Sequence, residues 1–116
     1  MLAGMQVGTG WLVSQISLGA QAPRTENARI ACTGIPAAAQ AVVGNATVVN
    51  PSSGGSGYVT LYPSGAAQPN ASNLNYRPGQ VVPNAFTVGL GGDGAFQIYA
   101  YTSVDLVVDI TGYFAP

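Results

Sequence analysis

Asp105 and Asp109 are the nearest this chain comes to a catalytic pair of carboxylates. Both lie in the alternating segment VDLVVDI, where residues four apart share one face of a strand. At the rise of a strand, their Cα atoms are roughly 13 Å apart. Glycosidase carboxyl pairs stand about 5 to 9.5 Å apart. We therefore expect solvated acids, or partners for Arg29 or Arg77, and no catalytic site.

Other routes to catalysis or metal binding are weaker still. The chain has no histidine, so it lacks both the commonest general base and the imidazole ligand of metal sites. Asp93 lies in the sequence GGDG, which superficially resembles a calcium loop. Calcium takes six to eight oxygen ligands, whereas this segment offers one acid, so a tight turn is the better interpretation. The sequence predicts no enzyme, no metal site and no cofactor.

A polar segment after the middle of the chain could bind a sugar. Planar amides and aromatic rings are the groups such a site would use, and this segment contains Asn73, Asn75, Tyr76 and Arg77. Asparagine also caps turns and satisfies the backbone of loops. A structural use and a glycan site therefore both remain open.

The elements that would position these residues are short strands. Apolar residues recur with a spacing of two, and Gly, Pro, Asn and Ser separate the runs. The predicted strands cover 11–18, Ala41–Val49, 58–62, 81–90, 95–101 and 104–111. The last should bury Val104, Leu106, Val108 and Ile110 on one face.

Turn-forming residues suggest how the strands connect. NPSSGGS at 50–56 predicts a hairpin between the second and third strands, and GGDG at 91–94 predicts another hairpin turn. IPAAAQ, between Ile35 and Gln40, predicts either a short helical turn or an extended loop. The pattern indicates an all-β, antiparallel β-sandwich of about seven or eight short strands, or a barrel if the sheet edges meet, in a single domain over residues 1–116.

The first strand suggests self-assembly. The segment from Val7 to Leu18 is apolar on both faces and uncharged, and residues 1–20 could form a strand exchanged between subunits. Roughly six ladder bonds and three or four buried side chains would contribute roughly 12 kcal/mol before ordering costs. The same strand could instead complete its own sandwich. The predicted contact residues are Val7, Trp11, Leu12, Val13, Ile16 and Leu18.

The charge content supports association. Only 6% of residues are charged, with a net charge of −1, while 47% are hydrophobic. Such a surface lacks the mixed charge that keeps small domains dispersed, which predicts a homo-oligomer or polymer. Three scattered arginines and no lysine cannot form a nucleic-acid site. No apolar run approaches the roughly 20 residues of a transmembrane helix. The single Cys32 is predicted to be a core side chain, with an intermolecular bridge as the alternative.

Several segments in fixed order carry a family resemblance. They are GIPAAAQAVVGNATVVNPSSGGSGYVTLYPSG, SNLNYRPGQVVPNAFTVGL and VDLVVDITGYFAP, which together span Gly34 to Pro116. The chain resembles a β-rich module repeated in secreted and cell-surface bacterial proteins, often beside hydrolase or protease domains. The resemblance implies an extracellular or cell-surface location and a non-enzymatic accessory or structural role. The expected function is a self-assembling subunit of a filament or surface layer, with a carbohydrate- or wall-binding module as the alternative.

Overall fold

Eight strands form two antiparallel sheets that pack face to face. The computed structural model describes residues 5–28 and 35–116, and the side chains among these from Leu18 onward. The strands are β1 (Met5–Leu18), β2 (Arg24–Asn27), β3 (Ala41–Val49), β4 (Gly57–Pro63), β5 (Leu74–Tyr76), β6 (Val81–Gly89), β7 (Ala95–Ala100) and β8 (Val104–Phe114). Sheet A has the order β1-β8-β3-β6, and sheet B has the order β2-β7-β4-β5. The predicted all-β sandwich is confirmed.

Alternation places the core between the sheets. In β8 the side chains of Val104, Leu106, Val108 and Ile110 are at most 4% exposed, as predicted, while Asp105 between them is exposed. Sheet B contributes Phe96 and Ile98, both fully buried. The rings of Phe86 and Phe96 lie 6.3 Å apart between centroids and join the two sheets.

Both predicted hairpins are wrong. β3 and β4 belong to different sheets, as do β6 and β7. The loop at 91–94 does form a tight turn, with Gly94 N donating to the Gly91 carbonyl at 2.9 Å. Turn-forming residues reverse the chain equally well within a sheet and between two sheets, so they do not reveal which strands pair.

Other local expectations also needed correction. The segment between Ile35 and Gln40 forms a single turn, in which Ala39 N donates to the Pro36 carbonyl at 3.0 Å, and has no helical residues. β1 begins at Met5, earlier than the predicted start at Trp11. β2 and β5 were not predicted, and both are short edge strands. Arg29 and Cys32 lie outside the described residues.

Candidate functional site

β1 pairs with β8 of the same chain. Val7 lies opposite Gly112, Trp11 opposite Ile110, Leu12 opposite Asp109, Ile16 opposite Leu106 and Leu18 opposite Val104. The register shifts between Leu12 and Ser14, so Val13 has no partner in it. Among the six predicted contact residues, only the side chain of Leu18 is described, and it is 3% exposed. β1 thus completes its own sheet in the isolated chain, and exchange between subunits stays a prediction.

The connection between β1 and β2 is short and strained. It crosses from sheet A to sheet B through residues 19–23, all of them exposed. Within it Gln21 has φ = 55°, and no other described non-glycine residue has a positive φ. Gln21 N donates to the Ala100 carbonyl at 2.7 Å, and Ala20 N donates to Ser103 Oγ at 3.2 Å. Left-handed backbone raises the free energy of a residue with a Cβ. The connection at 19–23, which we call the hinge, is therefore strained at Gln21.

The four sheet edges differ in how they are protected. Natural edges carry charge, proline or very short strands, which discourage pairing with another chain. β2 holds the ion pair of Arg24 Nε with Glu26 Oε1 at 2.9 Å, β5 has only three residues, and β6 contains Pro83. β1 has 14 residues with neither charge nor proline, and two register shifts are its only irregularities. It is the least protected edge in the described part of the chain.

The residues of the predicted glycan site have different roles in the structure. Asn73 has a structural role, because its Oδ1 accepts from Leu61 N at 2.8 Å and its carbonyl accepts from Asn84 Nδ2 at 2.6 Å. Tyr76 is 3% exposed, and its hydroxyl lies 2.8 Å from Thr102 Oγ1. These two side chains hold the fold together and present little surface to a ligand.

Asn75, Tyr76 and Arg77 do line one shallow depression of about 240 Å³. Asn75 and Arg77 are exposed there. Asn75 also lines a second depression of about 270 Å³, with Tyr58 and the loop residues 68–72. Asn75 is therefore the member of the predicted set that is both exposed and shared by two concave surfaces.

A cluster of tyrosines beside Asn75 was missed in the sequence. The ring of Tyr58 stacks on Tyr101 with centroids 5.5 Å apart and an interplanar angle of 17°, and lies 5.9 Å from Tyr99. Partial burial, and then the neighbouring Tyr58, raise the pKa of the Tyr99 phenol above its ordinary value. The signal was the spacing of two between Tyr99 and Tyr101, opposite YVTLY in the paired strand. We call Tyr58, Tyr99 and Tyr101 the tyrosine cluster.

Asp105 and Asp109, the acids nearest to a catalytic pair, lie on β8, and Asp93 lies in the turn at 91–94. Asp105 and Asp109 alternate with the buried row of β8, on the outer face of sheet A. Asp93 stabilises its own turn, because Oδ1 accepts from Ala95 N at 3.1 Å and Oδ2 accepts from Ser64 Oγ at 3.0 Å. Within 5–28 and 35–116, no group of three or more His, Cys, Asp or Glu side chains could hold a metal ion.

Two wider observations complete the description. In the part of the chain that the structure describes, no helix is long and apolar enough to cross a membrane. No protein-family model matches the chain, and no curated protein is significantly similar to it.

Proposed function

We propose that this protein is a non-catalytic structural subunit that assembles outside the cell by exchanging β1 between neighbouring copies. The observation that carries the proposal is the combination of an unprotected edge strand, β1, with a strained hinge at Gln21. The low charge of the whole chain supports it, because few like charges oppose close packing of copies. The resemblance to modules of secreted and cell-surface bacterial proteins supports the location.

The energetics of exchange depend on the hinge. When β1 leaves its own β8 and pairs with β8 of a second copy, the same ladder and the same side-chain contacts form again. The contact energy therefore nearly cancels between the two states. The remaining difference is the entropy of association, which opposes exchange, and the hinge strain, which exchange releases.

A chain of such exchanges would produce a filament. Each copy gives its β1 to one neighbour and receives β1 from another, so the contact is heterologous and need not close. The incoming β1 pairs with the edge of β8 that the chain's own β1 has vacated, because β3 occupies the other edge of β8. The added strand restores the full order of sheet A in every copy.

Cysteine pairs across β1 and β8 can test where β1 goes. Ser17 lies opposite Asp105, and both positions accept a polar residue. We would replace Cys32 with serine, prepare Ser17→Cys and Asp105→Cys as separate chains with different tags, mix them, refold them together and oxidise them. Directly opposed residues have Cβ atoms about 4.5 to 5.5 Å apart, within reach of a disulfide after small shifts. Exchange predicts disulfides between differently tagged chains.

The matched control moves the second thiol along the same strand. Thr111 is also exposed on β8, six residues from Asp105 and thus roughly 20 Å away along the strand. A mixture of Ser17→Cys and Thr111→Cys chains should give no cross-linked product. If the Asp105→Cys mixture also gives none, while the double variant closes a disulfide within one chain, then β1 is not exchanged.

A further inference from the structure

We propose that the depression beside the tyrosine cluster binds a neutral pyranose unit of a glycan. It lies on the outer face of sheet B, whereas β1 belongs to sheet A, so the proposal is independent of strand exchange. The residues that line it are Tyr58, Gln68, Pro69, Asn70, Ala71, Ser72 and Asn75.

The size of the depression suits a small ligand. Its volume of about 270 Å³ is just below the range of roughly 300 to 1,000 Å³ that is usual for small-molecule sites. It can enclose one sugar ring while the rest of a glycan stays outside. The second depression, which shares Asn75 with the first, offers about 240 Å³ in which a neighbouring unit could lie.

The tyrosine cluster supplies a rigid aromatic surface. Tyr58 lines the depression and is held by its stack on Tyr101 and its tilted contact with Tyr99. A pyranose ring has an apolar face of C–H bonds, which pack against an aromatic ring, and a rim of hydroxyls, which need hydrogen bonds. Tyrosine serves both, because it joins an apolar body to a polar tip.

Amide and hydroxyl groups supply the polar rim. Asn75 Oδ1 accepts from Ser72 Oγ at 3.2 Å, which orients the side-chain amide so that Nδ2 can donate to a ligand. Gln68 and Asn70, which are exposed, also line the depression. Each amide presents both donors and acceptors, as sugar hydroxyls do.

The wall formed by the loop is held in place before any ligand arrives. Thr60 Oγ1, which is almost fully buried, donates to the Ala71 carbonyl at 2.7 Å. Asn73 N donates to the Val59 carbonyl at 2.8 Å, and Asn73 Oδ1 accepts from Leu61 N. A wall ordered in advance spares the ligand the entropic cost of ordering it.

The absence of charge selects the class of ligand. Among the residues that the structure describes, no acidic or basic side chain lines the depression, so an anionic or cationic ligand would lose its hydration without gaining an ion pair. An apolar ligand would leave the amide groups unsatisfied. A neutral, polyhydroxylated ring can pack on the aromatic ring of Tyr58 and also form hydrogen bonds with the amide groups.

The test titrates the full chain with defined sugars and follows binding by calorimetry. The probes are the hexamers of β-linked glucose, α-linked mannose and N-acetylglucosamine, with polygalacturonate as the anionic comparison. We expect saturable binding of at least one neutral hexamer. Tyr58→Ala should weaken it at least about tenfold, and Asn75→Ala about fivefold. Tyr58→Phe, which keeps the ring, should retain most of the affinity.

The control replaces an exposed residue of the other sheet. Thr87→Ala on β6 should leave affinity unchanged, and Gln68→Ala offers a loop variant that does not involve the stacked rings. Circular dichroism confirms that each variant is folded, and light scattering shows whether its assembly state matches the wild type. Binding of polygalacturonate alone, no binding at about millimolar concentration, or equal affinity of the Tyr58→Ala and Thr87→Ala variants would each overturn the proposal.

Discussion

The hinge between β1 and β2 gives the sharpest test of strand exchange. Gln21 has φ = 55° in the closed chain, where β1 pairs with its own β8, and we expect strand exchange to release this conformation. Left-handed backbone raises the conformational free energy of a residue with a Cβ by about 1 to 2 kcal/mol, whereas glycine adopts this conformation without that cost. Gln21→Gly therefore stabilises the closed monomer but gives no such relief to the exchanged form. A difference of that size changes the equilibrium roughly 5- to 30-fold.

The opposite substitution should favour assembly. Proline requires φ near −65°, and it also removes the N–H that Gln21 donates to the Ala100 carbonyl. Gln21→Pro therefore disfavours the closed hinge and should raise the polymer fraction at a given protein concentration.

Sedimentation velocity over a concentration series measures both effects, after each sample has been unfolded, refolded and allowed to equilibrate. Ala22→Gly is the matched control, because it adds the same backbone freedom one residue away without relieving a positive φ. The midpoint is the protein concentration at which half of the chains are assembled. We expect it to rise about fivefold or more for Gln21→Gly and to change little for Ala22→Gly. Identical midpoints for Gln21→Gly and the wild type would show that hinge strain does not drive exchange.

Three further predictions concern stability and ionisation. Asn50 Nδ2 donates to two loop carbonyls at 3.0 and 2.9 Å, so Asn50→Ala should lower the free energy of unfolding in urea by about 2 kcal/mol. A Cβ at Gly44 would overlap a carbonyl of the paired strand, so Gly44→Ala should lower the free energy of unfolding by about 2 kcal/mol or more. Gly92 has open space around it, so Gly92→Ala should change the free energy of unfolding little in the same urea assay. The raised pKa of Tyr99 favours the protonated phenol in the folded state, so its stabilising effect is present below pH 10 and is lost as the pH rises through the folded pKa. Tyr58→Phe removes one cause of this raised pKa, so it should move the ionisation of Tyr99 to lower pH, which absorbance at the phenolate band measures.

Much of the fold could be predicted from alternation. The buried row of β8 and the span of β3 can be predicted from the sequence, because one face of each strand meets the core and the other meets solvent. The pairing of the strands could not be predicted from the sequence. Their order depends on which sheet each strand joins, and the turn at 91–94 has the same sequence chemistry whether it stays in one sheet or crosses to the other.

The candidate sites show a similar division. Asn75 was predicted because amides are common in sugar sites, but the roles of Asn73 and Tyr76 depend on partners 12 and 26 residues away. Tyr58 and Tyr101 come together only because β4 pairs with β7. Residue types therefore indicated the chemistry, and long-range pairing decided which residues could perform it.

The pairing of β1 with β8 also affects the kinetics of folding. About 90 residues separate the two strands along the chain, so closing β1 onto its own β8 requires a long loop of chain to come together. Contacts so distant along the chain form late in folding. At high local concentration, a β1 that is still unpaired can meet the β8 of a second chain first, and slow closure would then favour joining neighbours over closing on itself.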